Sequence, residues 1–147
     1  MRAYFVNLGK RLVKRLRVYF HDTGTLASLL RARNADDVLD GPTAGILFET
    51  AVYAQLHRLF VHRAESPPLY SWWTATGHEV DFVVDLGDCL IPIEAKLTST
   101  PKPAHARGIE RFQRLFGDRA GHGYVVCLVD QAMPLAPDVT AVPVGSV

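Results

Sequence analysis

Apolar side chains recur at helical spacing in three stretches of the chain, which predicts an amphipathic helix in each. The expected helices are a short basic one at residues 7–17, one of about five turns from Thr43 to about Arg63, and one at residues 106–116. Between the first two, Asp22 or Thr23 is positioned to cap a further helix at residues 25–33. Residues 34–42 have the composition of a polar connection.

Three β-type runs follow the second helix and predict an antiparallel meander. They are LYSWWT, EVDFVVDL and CLIPIEAKL, and the short segments between them each contain the glycine that a tight turn requires. The later run GYVVCLVD is almost entirely apolar, as in a strand buried on both faces and reached by a helical crossover. The tail is expected to add one edge strand at most. Side chains expected in the core are Phe82, Val84, Ile91, Ile93, Val125, Val126 and Leu128.

Composition narrows the class of protein. Hydrophobic residues make up 48% and charged residues 21% of the 147 positions, and no apolar run is long enough to span a bilayer, so we expect a soluble, cytoplasmic protein. The two cysteines lie in separate β-type runs, without the spacing of a zinc site. We divide the chain into a basic helical segment at residues 1–42 and an α/β core at residues 43–147.

Alternation along two of the strands brings chemically useful side chains together. Glu94 and Lys96 are two positions apart, so they project from the same face of their strand, roughly 6–7 Å apart. If the meander pairs the strands, Asp81 stands next to both. Two carboxylates suit Mg²⁺ or Mn²⁺, and a nearby lysine can orient or deprotonate an attacking water. The alternative is an exposed sheet face carrying an ordinary ion pair.

The order of these residues resembles the PD-(D/E)XK nuclease signature. Asp81 precedes the segment Glu94-x-Lys96 by thirteen positions, and the predicted order of helix, three-strand meander, helix and strand is that of the restriction-endonuclease-like core. The phrases NLGKRL, VYFHDTG, LFETAVYAQL, WWTATGHEVDF and IPIEAK are similar to a domain of unknown function found at the C-terminus of bacterial and archaeal AAA+ ATPases. Val80 stands where that superfamily often has proline.

The resemblance implies a function and adds a residue to the site. It implies a Mg²⁺- or Mn²⁺-dependent domain acting on DNA, with Glu49, Asp81 and Glu94 around the metal, Lys96 as the water activator and an AAA+ ATPase as partner. The chain has no GxxxxGK[ST] loop, so no ATPase activity is expected of it. Retained cleavage stays open against two alternatives on the same fold: a catalytically inactive nucleic-acid-binding module, and a protein-interaction or homo-oligomerisation module.

The basic run near the N-terminus is a second candidate for nucleic-acid contact. Its side chains can neutralise several phosphates, which would make binding depend on salt concentration. The alternative is the solvated face of an amphipathic helix, docked on an upstream domain. The run consists of Lys10, Arg11, Lys14, Arg15 and Arg17.

Overall fold

The computed structural model describes residues 1–4 and 17–147. These residues form a mixed α/β fold, in which one seven-stranded sheet has the order β1-β2-β3-β4-β5-β7-β6 and four α-helices accompany it. None of the described helices is long and apolar enough to cross a membrane. The strands are β1 (Arg2–Ala3), β2 (Leu69–Trp73), β3 (Glu79–Asp85), β4 (Leu90–Ala95), β5 (Gly123–Cys127), β6 (Met133–Ala136) and β7 (Val139–Pro143).

The predicted antiparallel meander is confirmed. β2 pairs with β3 and β3 with β4, both antiparallel. Gly77 and Gly87 lie in the two connecting turns with φ values of 83° and 91°, a region that residues with a Cβ atom rarely adopt. The glycines identified in the sequence therefore serve the turns as expected.

The helical crossover to a buried strand is confirmed as well. Helix α4 (Arg107–Phe116) connects β4 to β5, and these two strands are parallel. β5 lies inside the sheet between β4 and β7, and Val125 and Val126 are fully buried on its two faces. Leu128 was expected in the core, but it is 42% exposed because β5 ends one residue before it. Ile91 is only partly buried, at the border of the core.

The C-terminal tail contributes more structure than predicted. It forms a hairpin of β6 and β7 in place of a single edge strand. β7 runs parallel to β5 over the whole of its length, so the edge position falls to β6. Pro134 is tolerated in β6 because an edge strand has one row of backbone groups that pair with nothing.

Three helices precede β2: the longest packs against the sheet, the two shorter ones pack against that helix, and one of the three was not predicted. Asp22 caps α1 (Thr23–Leu29) by accepting hydrogen bonds from the amides of Gly24 and Thr25, as expected. Residues 34–42, interpreted above as a connection, contain the short helix α2 (Ala35–Leu39), because the Asn34 side chain caps it by accepting from the Asp37 amide. Helix α3 (Ala44–Val61) has the predicted five turns.

The core has two parts, one on each face of the sheet. Phe82 and Val84 pack with residues of α3, whereas Val83 packs with residues of α4. Strict alternation along β3 would place Val80 on the same face as Phe82, but Val80 packs on the α4 side. The reason is a β-bulge: Tyr70 pairs with Val83 and Trp72 with Val80, so one residue of β2 lies opposite two residues of β3, Asp81 and Phe82.

The predicted basic helix cannot be compared with the structure over most of its length. Residues 5–16 lie outside the described residues, and these include Lys10, Arg11, Lys14 and Arg15. Arg17 is described, and it has neither helical nor strand structure. Its side chain reaches the candidate site.

Candidate functional site

The sheet divides between β3 and β4 at the point where the candidate residues lie. The β3–β4 pairing runs from Asp85 and Leu90 to Phe82 and Ile93, where the regular ladder ends. Beyond it, the start of β3 continues to pair with β2 and the end of β4 with β5. Backbone amide groups on the two strands therefore need other acceptors.

The carboxylates of Asp81 and Glu94 are these acceptors. The Asp81 amide donates to Glu94 Oε2 at 3.3 Å, and the Ala95 amide donates to Asp81 Oδ2 at 3.1 Å. Both acids are 95% buried, with 5% of their surface exposed. The two side chains thus accept the hydrogen bonds that backbone carbonyl groups accept elsewhere between β3 and β4, and these bonds hold the two acids next to each other.

Lys96 is the cation beside Glu94. Its Nζ lies 2.7 Å from Glu94 Oε1, and its side chain is 39% exposed. Burial lowers the pKa of Lys96, but the charge and hydrogen bond of Glu94, together with the charges of Asp81 and Glu79, outweigh that effect and raise it. The ammonium group therefore stays protonated, which favours the orienting role over the deprotonating role that the sequence left open.

Arg17 is the second cation of the site, and it contacts three carboxylates. Its Nη1 lies 2.7 Å from Glu49 Oε1 and 2.8 Å from Asp81 Oδ1. Its Nη2 lies 2.8 Å from Glu79 Oε2. One guanidinium thereby joins helix α3 to the first residues of β3.

Tyr19 supports Glu49 from the same side. Its hydroxyl donates a short hydrogen bond to Glu49 Oε1, and its ring stacks on Tyr53 of α3 at a centroid distance of 4.4 Å. Burial and the bond to Glu49 raise the pKa of Tyr19, so the hydroxyl remains a donor. The position of Glu49 is thus set by Tyr19 and Arg17 together.

The site opens into a cleft of about 660 Å³. One wall is the connection from α2 into α3, and the other consists of Arg17, the first residues of β3 and the last residues of β4. Glu49, Asp81 and Lys96 line the cleft, whereas the buried Glu94 lies behind this lining. Glu79 and Lys96 are the more exposed side chains here, at 52% and 39%, so a ligand entering the cleft meets them before it reaches Asp81, which is 6% exposed.

Burial and the shared negative charge change the ionisation of the acids. Burial, and then the neighbouring charge of Asp81, raise the pKa of Glu94 to about 7, against the opposing attraction of Lys96. The same two causes raise the pKa of Glu49, although Tyr19 and Arg17 oppose them. With all groups ionised, Glu49, Glu79, Asp81 and Glu94 carry four negative charges against two positive charges on Arg17 and Lys96, which leaves two uncompensated.

The donor chemistry fits a hard divalent cation such as Mg²⁺ or Mn²⁺. Carboxylate oxygens are the preferred ligands, and each such oxygen can accept two hydrogen bonds. Each carboxylate oxygen of Asp81 and Glu94 has one partner, so acceptor capacity remains. In this structure, however, these two carboxylates are paired with the cationic side chains of Arg17 and Lys96. Within residues 1–4 and 17–147, no three acidic, histidine or cysteine side chains are grouped so that they could hold a metal ion. Asp81 and Glu94 are the residues that would hold one.

Sequence reasoning identified four residues that the structure brings together and overlooked three contacts. Glu49, Asp81, Glu94 and Lys96 gather at the division of the sheet. Arg17 was predicted only as part of a phosphate-binding run, and neither Glu79 nor Tyr19 was predicted to belong to the site. One signal was available: Arg17 and Tyr19 are two positions apart, which in extended backbone places them on the same side.

Two mycobacterial proteins are similar to this chain over nearly its whole length. Uncharacterized protein Mb2031c of Mycobacterium bovis and uncharacterized protein Rv2008c of Mycobacterium tuberculosis are each 31% identical to it over 146 residues. The match covers 98% of this chain but 31% of each relative, so the chain spans less than a third of their length. No solved structure matches it.

A protein family also matches, and it covers most of the chain. Residues 44–147 match the family described as a domain of unknown function, DUF4143. The matched range begins with α3 and includes β2 to β7, and therefore contains Glu49, Asp81, Glu94 and Lys96. The chain accordingly belongs to the DUF4143 family.

Proposed function

We propose that this chain is a divalent-metal-dependent, nuclease-like domain that acts on DNA and has a restriction-endonuclease-like core. The observation that carries the proposal is the pairing of Asp81 and Glu94 at the division between β3 and β4, beside Lys96. An ordinary exposed ion pair does not have this form, because both acids are buried and accept hydrogen bonds from the backbone. The order α3, β2 to β4, α4 and β5 supports the same core.

The residues of the site have separate tasks in this proposal. Asp81 and Glu94 hold the metal, with Glu49 at the side of α3. When bound, a divalent cation supplies positive charge next to a phosphate and lowers the pKa of a water molecule. The Lys96 ammonium group, protonated in the metal-free protein, donates hydrogen bonds that orient the attacking water or a phosphate oxygen. The open cleft gives the backbone of a nucleic acid access to Asp81 and Lys96.

The length of the relatives supports a role within a larger protein. Each relative is about three times as long as this chain, since the match covers 31% of its length. We propose that an AAA+ ATPase domain is the partner, in the same polypeptide or in a complex. Apolar side chains on the α1–α3 side are available for such a contact, because Leu29 is 64% and Leu39 53% exposed.

One observation favours a second candidate, a binding or interaction module without cleavage activity. Arg17 holds Glu49, Glu79 and Asp81 at 2.7–2.8 Å, as a purely structural ion-pair cluster would. In such a module the acids would stabilise the fold and the cleft would bind a partner. The two candidates differ in whether the site takes up metal.

Plasmid nicking tests the proposal. Wild type and the double variant Asp81→Asn/Glu94→Gln are incubated with supercoiled and single-stranded DNA in Mg²⁺, Mn²⁺ or EDTA. We expect metal-dependent cleavage by the wild type that is lost in EDTA and in the variant. Salt-sensitive DNA binding without cleavage in any metal would support the second candidate instead. Cleavage by the double variant equal to that of wild type would remove these acids from the mechanism.

A further inference from the structure

The guanidinium of Arg17 lies between acidic side chains of α3 and β3. A single atom, Nη1, bonds Glu49 Oε1 at 2.7 Å and Asp81 Oδ1 at 2.8 Å, and so lies between the two carboxylates. The side chain is 26% exposed, and its hydrogen bonds to Tyr19 and Asp81 together with the charge of Glu49 outweigh burial and raise its pKa. The guanidinium is a permanent cation placed where the acids of α3 and β3 converge.

We infer that Arg17 is an exchangeable cation that controls metal loading of the site. It neutralises Glu49 and Asp81 in the metal-free domain and withdraws when a divalent ion binds. The inference rests on the proposed function and names how that same site is regulated. The physical reason is competition: an ion shared by Glu49 and Asp81 needs the space that Nη1 now fills, and two like charges a few ångströms apart in a partly buried cleft repel strongly.

The surrounding structure determines which group moves. Glu49 lies in the second turn of α3, and Asp81 is fixed by the backbone of Ala95. Arg17 lies in irregular backbone ahead of α1, on a long side chain with several rotatable bonds. The Arg17 side chain is therefore the group that moves when a metal ion binds, and the two carboxylates stay in place.

Tyr19 and Lys96 do not act in the same way. Tyr19 donates to Glu49 as a neutral group, so it can continue to orient that carboxylate after Arg17 leaves. Among the described residues, the Lys96 ammonium is ion-paired with Glu94 and does not bridge Glu49 and Asp81. Removing Arg17 is thus the change that tests the exchange.

The experiment compares Mn²⁺ binding to wild type, Arg17→Met, Arg17→Lys and Arg119→Met by calorimetry and thermal unfolding. Arg119 is the matched control, because it donates to Tyr4 Oη and the Gly87 carbonyl and has no acidic partner among the described residues. We expect Arg17→Met to bind Mn²⁺ about tenfold more tightly or better, and Arg17→Lys to fall between it and wild type. The metal-free Arg17→Met protein should melt earlier than wild type and gain more from Mn²⁺.

The outcomes separate this inference from the proposed function. If wild type binds Mn²⁺ and Arg17→Met binds it equally or more weakly, the exchange is wrong and the metal site stands. If neither protein binds Mn²⁺, both are wrong. A tightening of equal size in Arg119→Met would show a general charge effect and overturn the exchange. If Arg17→Met does not fold, Arg17→Lys decides, because lysine keeps one charge but not the fork that bridges two acids.

Discussion

The backbone amide of Asp81 donates to the carboxylate of Glu94 across the division between β3 and β4, at 3.3 Å. The Asp81 carboxylate in turn accepts from the amide of Ala95, the residue after Glu94. Two buried acids are therefore positioned by backbone hydrogen bonds, without help from a ligand. Such a pair costs stability when both groups are ionised, and a bound cation would recover that cost.

Replacing Asp81 by asparagine should remove metal binding and keep the fold. The amide has the same shape and can still accept the bond from Ala95, but it lacks the charge that a hard cation requires. Calorimetric titration with Mn²⁺ measures the affinity, and circular dichroism checks the fold. Asp85→Asn is the control on the same strand, because Asp85 caps the turn amide of Gly87 far from the site. Equal Mn²⁺ affinity in wild type and Asp81→Asn would contradict this role.

Lys96→Met should separate binding from cleavage. The carboxylates and Arg17 remain, so Mn²⁺ and DNA should still bind, while any cleavage falls by about 10²–10⁴-fold because a hydrogen-bond donor to water or phosphate is lost. Single-turnover nicking rates, compared with those of Lys102→Met, measure the effect. A variant that cuts at the wild-type rate would show that Lys96 has only a structural role.

The metal-free protein should lose stability as pH rises, through Glu94. Its pKa in the fold is about 7, above the value of 4.5 for a free glutamate, so the folded state binds more protons between these two values. The contribution is fully present below the lower value and is lost as pH rises through the upper one. Glu94→Gln should therefore match wild type near pH 4 and exceed it near pH 8 by about 1–3 kcal/mol.

Urea unfolding of both proteins in EDTA at the two pH values tests this prediction. The difference between the proteins isolates Glu94 from other groups with shifted pKa values, such as His57, which are common to both. A difference that does not change with pH would show that Glu94 titrates normally.

Gly108 should be essential for the packing of α4 against β3. A Cβ atom there would lie 2.1 Å from the carbonyl oxygen of Glu79, which belongs to the backbone and has no simple way to move aside. We expect Gly108→Ala to lower the free energy of unfolding by about 1–3 kcal/mol. Gly45→Ala is the control, because the space around Gly45 is open and alanine favours a helix. Equal stability of the two variants would contradict the close approach.

Regular features of the fold could be predicted from local patterns. The meander, the crossover through α4 and the buried β5 followed from period-two and helical spacing and from the turn glycines. Helix α2 was missed because its stability comes from the Asn34 cap in a polar segment without apolar periodicity. β7 was missed because its burial comes from long-range pairing with β5.

The site could be predicted only in part, for a similar reason. The spacing of Asp81, Glu94 and Lys96 along two adjacent strands indicated their proximity. The bulge opposite Asp81 and Phe82 places Val80 on the same face as Val83, and it results from the register with β2, which no local pattern shows. The contact of Arg17 with Asp81 joins residues 64 positions apart, so periodicity could not reveal it.

The most direct test of the metal site is a crystal structure of the protein soaked in Mn²⁺, with anomalous scattering data. We predict a peak with carboxylate oxygens of Glu49, Asp81 and Glu94 at about 2.0–2.3 Å, and the guanidinium of Arg17 moved away from Glu49 and Asp81. A map without a peak at this position, with Arg17 still bonded to Asp81 at full Mn²⁺ saturation, would contradict the account.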